Sequence, residues 1–416
     1  MENVTPENLP TPEEVAKWNG FFPDGRKLKI LVVPANEGGC AYYRAWSPYK
    51  KLMELYPNVI ELQFDKNPLG VDEKTLQYNE DWDNPSIEWA DVVVMNNISN
   101  FGGPYTTRVC GVTKEKGKFF HMDTDDLLTD LYEGHRLVKV YKEKGLSEMT
   151  KHIYNHSDLV TVTQHKFAER VAEFCGSQLA VVKNAIDYNL PAWNLPRVPQ
   201  PKRGKVRLTR IAWAGGIHHE EDVKEFASIP HLVNSRIGRE HVQWNFYGKP
   251  PIDPNGGRDW QHDVWDNYER IMMHGFKGQK NWNIFQAYPA DDYGFLYAST
   301  DIGIAPLQMN NFNDSKSDIK VAECGRYGVP LIASNVGCYS DVIKNGVTGY
   351  LLPPDAPKKE WVRIMSKVIK DKKHREEMGQ NLKKITDNYF DLNKVVHYRL
   401  LMYKSCLKEA GVYENN

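Results

Sequence analysis

Short apolar runs recur along the chain, and between them the apolar residues follow helical spacing. Runs of this kind, rich in Val, Ile and Leu, are typical of strands buried on both faces of a parallel sheet. Their alternation with helical stretches predicts an α/β protein. The predicted strands of the first half are Lys29–Val33, Val59–Phe64, Asp91–Met95, Lys118–His121, Leu159–Val162 and Ala180–Val182. Those of the second half are Val206–Ala212, Val242–Tyr247, Ile271–His274, Ile302–Ala305, Leu331–Ala333 and Tyr350–Leu352.

A proline-rich segment divides the chain into two domains. Asn189–Gly204 carries four prolines, and repeated prolines stiffen a chain into an extended spacer. We therefore predict a linker over residues 191–204 between an N-terminal domain, residues 1–190, and a C-terminal domain, residues 205–391. Each domain is predicted to be Rossmann-like, with a ligand cleft between the two. The predicted helices are Pro48–Leu55, Lys166–Phe174, Asp222–Phe226, Asp291–Ala298, Ser317–Tyr327, Lys359–Lys370 and Leu392–Leu407.

The composition is that of an ordinary folded enzyme. Of 416 residues, 41% are hydrophobic and 26% are charged, which excludes a largely disordered chain. The net charge of −1 predicts no strong overall attraction to nucleic acid or anionic membranes, although Pro201–Arg210 is a local basic run. Six scattered cysteines without a CxxC pair favour neither a disulfide framework nor a zinc site. Because neither a secretory signal nor a membrane span is recognised, we expect a cytoplasmic protein.

The loop after the first predicted strand has features of an anion site. Gly38 and Gly39 let the backbone approach a ligand, and Arg44 can add a planar, bidentate anion contact. The alternative is a turn with a surface arginine. The chain has no GxGxxG at this loop and no GxxxxGK[ST], which disfavours dinucleotide oxidoreductases and P-loop NTPases.

Three carboxylates, Asp123, Asp125 and Asp126, follow the predicted strand Lys118–His121. Carboxylates at the carboxyl end of a strand can bind a metal, accept hydrogen bonds from sugar hydroxyls or act as a base. Capping of the next helix by Asp123 or Asp125 is the alternative.

A second glycine pair, Gly215 and Gly216, follows the first strand of the second domain and suits a phosphate. His218 or His219 could donate a hydrogen bond to that phosphate, while the alternative is a solvated, capped pair of histidines. The acidic residues Glu220–Asp222 fit the start of the next helix and are interpreted as structural.

The most informative segment is Asp314–Glu323. On a helix beginning near Ser315, Lys316, Lys320 and Glu323 would share one face. A diphosphate at the start of this helix would meet free N–H groups, Ser317 and Lys320, and Glu323 could accept bonds from a ribose. The alternative is a solvated charged stripe, with a Lys320–Glu323 pair contributing ~0.2–0.5 kcal/mol.

Several motifs of the second half resemble the retaining GT-B glycosyltransferases of family 4, the glycosyl transferases group 1. They are Asp301–Leu307, Ser315-Lys-Ser-x-x-Lys320-x-x-Glu323, Gly328–Ser334 and Gly337-x-x-x-Asp341-x-Ile343-x-x-Gly346-x-x-Gly349. Weaker likenesses in the first half are Ser157–Thr163, Val182–Asp187, the Tyr43-Arg44 loop and the Asp123–Asp126 cluster. The likeness covers most of the chain from Lys29 to Leu407.

The resemblance implies a GT-B architecture of two Rossmann-like domains around a central cleft, with the last helix, residues 392–416, crossing back to the first domain. It also implies a nucleotide sugar on the second domain, an acceptor on the first and no metal or other cofactor. Glu323 is expected to bind the ribose, while Lys320 and Lys316 neutralise the diphosphate leaving group, the largest electrostatic task of the reaction. The candidate catalytic residues are Lys320, Lys316 and Asp125. The candidate donor-binding residues are Gly215, Gly216, His218, Ser317, Lys320 and Glu323, and the candidate acceptor-side residues are Gly38, Gly39, Tyr43, Arg44, Asp123 and Asp126.

Two positions depart from the family pattern. The family has a Glu eight residues before the position of Glu323, where this chain has Ser315 beside Asp314. His218 and His219 replace the family's usual Arg/Lys pair.

The leading interpretation is an enzyme that moves a hexosyl or pentosyl group from a nucleotide sugar, such as a UDP-sugar, to an acceptor hydroxyl. Retention is implied by the resemblance. An epimerase of the same fold would act on the donor without an acceptor, and a non-catalytic protein would bind a nucleotide or glycan without turnover.

Two acceptors are compatible with the sequence: a glycan, or a hydroxymethylated DNA base of the kind that some bacteriophage glycosyltransferases use. Pro250–Pro289, with Trp260, Trp265 and Trp282, is either an acceptor platform or a surface of packed aromatic residues.

Overall fold

The computed structural model describes residues 10–72, 74–78, 82–252, 257–276 and 280–411. The chain forms two compact units. The first contains the residues up to Asp130, Val140–Asp187 and the residues from Phe390 onward, and the second contains Leu131–Lys139 and Tyr188–Tyr389. Residues 1–9 of the predicted N-terminal domain and residues 412–416 of the predicted last helix lie outside the described residues.

The first unit is built on a six-stranded sheet in which all paired strands are parallel. The spatial order is β2-β1-β3-β4-β5-β6, and most residues of the central strands are buried, as the apolar runs predict. The strands are β1 Leu28–Val33, β2 Ile60–Phe64, β3 Val92–Asn96, β4 Phe119–Asp123, β5 Leu159–Val162 and β6 Gln178–Val181. The helices are Pro12–Val15, Gly39–Ala41, the π-helical turn Tyr42–Trp46, Ser47–Leu55, Pro85–Trp89, Gly103–Glu115, Val138–Glu143, Leu146–His156, His165–Ala172, Leu392–Val395 and Tyr398–Glu409.

The second unit is built on another six-stranded parallel sheet, with the order β11-β10-β9-β12-β13-β14. Its strands are β9 Thr209–Ala214, β10 Val242–Lys249, β11 Trp282–Gln286, β12 Ile302–Ala305, β13 Leu331–Ser334 and β14 Gly349–Leu352. A two-stranded hairpin, β7 Lys202–Arg203 and β8 Val206–Arg207, precedes β9. The α-helices are Glu220–Glu225, Ile229–Ile237, Trp260–Met272, Gly294–Ala298, Asn311–Asp314, Ile319–Arg326, Tyr339–Val342, Lys358–Lys370 and Lys372–Tyr389, with 3-10 turns at Pro191–Trp193, Arg239–His241 and Ala290–Asp292.

The sequence prediction of two parallel-sheet α/β domains is confirmed. As the resemblance implied, the C-terminal helix Tyr398–Glu409 belongs to the first unit. Leu400, Tyr403 and Leu407 of this helix are fully buried in the core of that unit, together with residues of β1 and β3. Burying this apolar face is what holds the helix there.

One predicted strand is wrong. Ile271–His274 lies at the end of the helix Trp260–Met272, and the outer strand that pairs with β10 is β11, which begins at Trp282. The carboxylate of Asp259 accepts hydrogen bonds from the first N–H groups of this helix, and Trp265 and Tyr268 are buried at helical spacing. The predicted strand Val206–Ala212 is divided between β8 and β9. β8 belongs to the hairpin with β7, whose turn contains Gly204 at φ +64°.

The proline-rich segment is folded onto the second unit over part of its length. Pro191–Trp193 forms a 3-10 turn, and the buried ring of Trp193 packs near the rings of Tyr297 and Tyr327. The chain therefore passes into the second unit at Tyr188, and Leu131–Lys139 also belongs to that unit. The large apolar ring of Trp193 outweighs the extended tendency of the prolines.

Within the part of the chain that the structure describes, no helix is both long and apolar enough to cross a lipid bilayer.

Candidate active site

The loops after β9 and β12 lie where the strand order of the second sheet reverses. These two strands are neighbours, and the strands that follow each of them continue to opposite sides. In open α/β sheets, ligands bind beyond the carboxyl ends of the strands at such a point. The buried carboxylate of Asp222 joins the two loops, because its Oδ1 accepts from the N–H of Gln308 at 2.8 Å and its Oδ2 lies 2.8 Å from Nδ1 of His219. Asp222 therefore fixes both loops of the crevice.

Gly215 and Gly216 follow β9 directly and differ in their surroundings. A Cβ on Gly215 would meet the ring of Trp213 at 2.6 Å, so this glycine is needed for packing. No atom lies within 4 Å of the position of a Cβ on Gly216, which is exposed. The backbone at Gly216 is therefore open to a ligand.

The charged helix after β12 begins later than predicted. Asn311–Asp314 is a separate short helix, and the main helix is Ile319–Arg326. The expectation of one helix beginning near Ser315, with Lys316, Lys320 and Glu323 on one face, is therefore wrong. Lys316 and Ser317 are half-buried in the connection between the two helices.

The position at which the family has its first Glu is part of this connection. The buried hydroxyl of Ser315 donates to the carbonyl of Asn311 at 2.8 Å, which completes the short helix. The neighbouring carboxylate of Asp314 accepts from the N–H of Gly337 at 3.0 Å. Both side chains bind nearby backbone groups and stabilise the turn before Lys320.

Lys320 and Glu323 form the centre of the site in the second unit. Nζ of Lys320 lies 2.7 Å from Oε2 of Glu323, which also accepts from the hydroxyl of Tyr297 at 2.6 Å. The ammonium is 3.4 Å from the hydroxyl of Tyr293. Glu323 is 1% exposed, whereas the side chain of Lys320 is 21% exposed. The Lys320–Glu323 pair is thus present, but it is mostly buried beside Tyr293 and Tyr297 and is not part of a solvated stripe.

The charge of Lys320 is fixed by its neighbours. Burial by itself would lower the pKa of Lys320, but the carboxylate of Glu323 and the hydroxyl of Tyr293 raise this pKa above its ordinary value. The side chain therefore stays positively charged at physiological pH. A permanent ammonium is suited to neutralising an anion and not to transferring a proton.

Lys316 and His218 are linked by two aromatic side chains, Phe312 and His135. Nζ of Lys316 lies 4.4 Å from the ring centre of Phe312, and that ring centre lies 4.7 Å from the ring centre of His135. His135 in turn stacks on His218, with ring centres 5.3 Å apart and planes within 8°. We call Lys316, Phe312, His135 and His218 the aromatic column. It joins a predicted catalytic residue, Lys316, to a predicted donor-binding residue, His218, from a different loop.

In the first unit, Gly38 and Gly39 open the loop after β1. Both are exposed, and among the described residues no atom beyond the chain neighbours and the local helix backbone lies within 4 Å of a Cβ placed on Gly39. Tyr43 is half-buried in the π-helical turn and packs edge to face on Tyr42, with ring centres 5.2 Å apart. The loop therefore offers an open backbone beside an aromatic surface.

Arg44 is not available for the anion contact that the sequence predicted. Its side chain is fully buried, forms an ion pair with Asp123 and donates to the side chain of Asn184 at 3.0 Å. Asp123 also binds Arg399 of the C-terminal helix at 2.9 Å and the hydroxyl of Thr161 at 2.6 Å. The expectation that Arg44 and Asp123 face an acceptor is corrected, because both are completely enclosed in the first unit.

Two charges set the protonation of Asp123. Burial would raise the pKa of this carboxyl, but Arg44 and Arg399 outweigh burial and lower the pKa to about 2. Asp123 is therefore an anion at neutral pH, and its role here is to hold β4 and the C-terminal helix together.

Asp125 and Asp126 behave differently from Asp123. Burial and the charge of Asp126 raise the pKa of Asp125 to about 6. Asp125 accepts from the side chain of Asn97 at 3.3 Å, and the thiol of Cys40 lies 3.6 Å from a carboxylate oxygen of Asp126. The ligand atoms of Cys40, Asp125 and Asp126 all lie within 4.8 Å of one another, close enough for one cation. A carboxyl group with a pKa near neutrality is also the chemistry of a general base.

The aromatic residues of Pro250–Pro289 are mainly packed into the second unit. Trp265 is fully buried, and Trp282 packs on Phe276 with ring centres 4.7 Å apart. Trp260 is 57% exposed. Residues 253–256 and 277–279 of this stretch lie outside the described residues.

The sequence interpretation missed four side chains, which are Tyr293, Tyr297, Phe312 and His135. The two tyrosines are four residues apart before a buried strand, a spacing that places both on one side of a short helix. His135 has no sequence signal, because it follows the first-domain carboxylates and its partner is more than 80 residues away.

Comparisons with known proteins show similarity to glycosyltransferases. The family model described as glycosyl transferases group 1 matches residues 268–385, a range that includes Lys320 and Glu323. The capsular polysaccharide biosynthesis glycosyltransferase CapM of Staphylococcus aureus is 19% identical over 297 residues, which cover 66% of this chain and 72% of CapM.

Solved structures share the fold over almost the whole chain. Sucrose-phosphate synthase from Thermosynechococcus elongatus has a TM-score of 0.65 at 12% identity, covering 92% of this chain and 100% of that chain. A glycosyltransferase from Rickettsia africae has a TM-score of 0.58 at 16% identity, covering 92% and 99%. Anabaena HepE, solved with UDP and glucose, has a TM-score of 0.55 at 13% identity, covering 91% and 99%. The resemblance found in the sequence is therefore confirmed: residues 268–385 match the glycosyl transferases group 1, and the chain has the fold of the GT-B glycosyltransferases.

Proposed function

We propose that this protein transfers a sugar from a UDP-sugar to a hydroxyl group of a glycan, with retention of configuration and without a metal ion. The observation that carries the proposal is the buried contact between Lys320 and Glu323, at the start of a helix within the matched range. A permanent cation beside an enclosed carboxylate can bind a diphosphate and a ribose side by side.

Lys320 would contact the diphosphate. The N–H groups at the start of Ile319–Arg326 and the positive end of that helix favour an anion at the same place. As the bond between the sugar and the diphosphate breaks, negative charge grows on the leaving oxygen. A preorganised ammonium stabilises that charge more than it stabilises the bound donor, which lowers the barrier.

Glu323 would accept hydrogen bonds from the ribose. In this structure the ammonium of Lys320 donates a hydrogen bond to Oε2 of Glu323. We propose that the diphosphate draws the partly exposed Lys320 side chain away from Glu323 and so makes the carboxylate oxygen available to the ribose. Tyr297 keeps the carboxylate in place throughout, since its hydroxyl bonds to the same oxygen.

UDP is the proposed nucleotide because Anabaena HepE, which shares the fold, was solved with UDP and glucose. Gly216 would supply backbone N–H groups to the phosphates, and His218, held by the aromatic column, would donate to them.

Asp125 is the proposed group that receives the proton of the acceptor hydroxyl. Above the raised pKa of about 6 its carboxylate is ionised and can accept a hydrogen bond from that hydroxyl. Asp126 keeps this pKa high through its own charge. Under the retaining mechanism that the family resemblance implies, the leaving diphosphate and the attacking hydroxyl lie on the same face of the sugar.

A glycan is proposed as the acceptor in preference to modified DNA. CapM, the similar curated protein, is named for capsular polysaccharide synthesis. The basic run lies in the β7–β8 hairpin before β9, at the amino ends of the second sheet, whereas Lys320 follows the carboxyl end of β12. Those cations are therefore at the opposite edge from the proposed donor.

A donor panel tests the proposal. The melting temperature is measured in EDTA with UDP, GDP, ADP, TDP and their common sugar conjugates, and UDP release is then followed with and without glycan acceptors. Selective stabilisation by uridine nucleotides, with UDP release that depends on an acceptor, is expected. UDP-sugar conversion without any acceptor would indicate an epimerase, and binding without turnover would indicate a non-catalytic protein; either result contradicts the proposal.

A further inference from the structure

A second cavity lies at the other edge of the second sheet. Its volume is about 460 Å³, within the range of small-molecule sites. Asp301 and Pro330 line it and stand directly before β12 and β13, so the cavity lies beyond the amino ends of the strands. Lys320 and Glu323 follow the carboxyl end of β12, and the two sites are therefore separate.

Positive side chains predominate in the lining. The charged side chains of the cavity are Arg197, Arg207, Lys372 and Arg375, together with the acids Asp301 and Glu376. Both acids are already bound to cations. Asp301 pairs with Arg210 at 3.0 Å and with Arg197 at 3.3 Å, and Glu376 lies 3.5 Å from Lys372. The cavity therefore keeps an excess of positive charge.

Two of these arginines are held rigidly. Arg375 is 4% exposed and donates from Nη1 to the carbonyls of Val368 and Ile369, both at 2.9 Å. Arg197 donates to the carbonyl of Tyr297 at 2.6 Å. Burial lowers the pKa of both guanidinium groups in spite of the nearby carboxylates, because carbonyls and shared acids compensate their charge only in part.

Hydrogen bonds to carbonyls at the ends of helices account for the positions of Arg197 and Arg375, but not for those of Arg207 and Lys372. Arg207 ends the hairpin strand β8, and Lys372 begins the helix Lys372–Tyr389; both are exposed and face the same cavity. Cations from three separate parts of the chain thus converge on one space. The two carboxylates of the lining offset only part of this positive charge, so an anion bound in the cavity would be stabilised.

We propose that this cavity binds a small anion with a phosphate or diphosphate group, at a site distinct from the donor site. Arg197 and Arg375 would supply fixed guanidinium groups, for which phosphate oxygens are matched acceptors, and Arg207 and Lys372 would close over the ligand from the rim. The side chains of Gln200 and Gln380 also line the cavity and can contact the uncharged part of the molecule. This proposal does not depend on glycosyl transfer.

Two double variants of equal charge test it. In the cavity variant, Arg207→Gln and Lys372→Gln remove the two exposed cations, and both buried arginines stay in place. In the matched control, Lys205→Gln and Lys373→Gln remove two exposed cations of the same hairpin and the same helix that do not line the cavity. The probe is pyrophosphate, measured by calorimetric titration and by melting temperature, with sodium chloride at equal ionic strength as the salt control.

We expect pyrophosphate to stabilise the wild type and the control variant equally, and the cavity variant to lose about 10-fold or more in affinity at one site, as two charge-assisted contacts are removed. A contribution from the donor site is common to all three proteins and cancels in the comparison. Equal affinity in both double variants, or no pyrophosphate binding by the wild type, would overturn the proposal.

Discussion

The two units each contain a cluster of charged side chains, and the two clusters differ in their exposure to solvent. In the first unit Asp123 is 0% exposed and is enclosed by Arg44 and Arg399. In the second unit Lys320 is 21% exposed beside an enclosed Glu323. The first cluster joins β4 to the C-terminal helix, whereas the second offers its cation to the crevice. Exposure of one partner, and not the presence of charged residues, separates a structural ion pair from a candidate binding site.

Asp123 and Asp125, two residues apart in the first unit, have pKa values shifted in opposite directions. Asp123, between two guanidinium groups, has its pKa lowered to about 2, whereas Asp125, buried beside Asp126, has its pKa raised to about 6. Asp123 therefore contributes stability above its ordinary pKa of 3.8, and this is lost as the pH falls through about 2. The contribution of Asp125 is complete below pH 3.8 and is lost as the pH rises through about 6.

The largest expected effect is on the enclosed cluster. Replacing Asp123 by alanine leaves Arg44 and Arg399 buried without their carboxylate, so we expect a loss of about 3–5 kcal/mol in the free energy of unfolding. Urea denaturation followed by circular dichroism measures this loss. A loss below about 1 kcal/mol would show that the network does not hold the unit together.

For the exposed cluster the expected effect is on catalysis. Lys320→Ala should lower kcat by about 10²-fold or more, because the charge on the departing diphosphate is no longer neutralised. Lys359→Ala, which removes an exposed lysine from another helix, is the control and should leave kcat unchanged. Equal rates for both variants would place the leaving group elsewhere.

The raised pKa of Asp125, in contrast to the lowered pKa of Asp123, predicts a pH dependence of the reaction. If it receives the acceptor proton, kcat should fall as the pH drops below about 6. Asp125→Asn should lower kcat at pH 8 and at the same time stabilise the fold there by about 3 kcal/mol, since a buried charge is removed. Rate–pH profiles and urea denaturation at pH 8 measure the two effects. A variant that is less stable at pH 8 would contradict the assignment of the raised pKa.

A smaller effect is expected from the aromatic column. His135→Ala should raise the KM for the donor several-fold, whereas His135→Phe keeps a ring against His218 and should restore most of the affinity. Steady-state kinetics of the two variants distinguish positioning of His218 from a general loss of folding. An unchanged KM in His135→Ala would show that the column does not position the donor.

The smallest expected effect is that of metal removal. Cys40, Asp125 and Asp126 are close enough to bind one cation, but the proposed leaving-group stabilisation uses Lys320. Dialysis against EDTA should therefore leave the transfer rate unchanged. Loss of activity that Mn²⁺ restores would instead make this cluster a metal site.

The sequence predicted the parallel sheets well because strands buried on both faces are continuous apolar runs. The strand order of the second sheet was found only in the structure, where one predicted strand, Ile271–His274, is the end of a helix. The sequence did not predict which charges are enclosed. Arg44 and Asp123 were predicted to face an acceptor, but they pair with each other, and Arg399, 276 residues from Asp123, also binds this carboxylate.

The errors have local physical causes. The helix near Ser315 was placed too early because charge spacing continues through a turn that Asp314 and Ser315 stabilise by binding backbone groups. The sequence does not indicate His135 as a site residue, because His218, the ring on which it stacks, is distant in the chain. Local patterns carry no information about such pairs.

The central claim is that Lys320 and Glu323 bind the nucleotide part of a UDP-sugar. Calorimetric titration of UDP into the wild type and into Glu323→Gln tests it most directly, because glutamine keeps an acceptor for Tyr297 but removes the charge. We expect the wild type to bind UDP and the variant to bind it about 10-fold more weakly, through loss of hydrogen bonds to a charged group. Equal affinity in the two proteins, or a folded wild type that does not bind UDP, would contradict the claim.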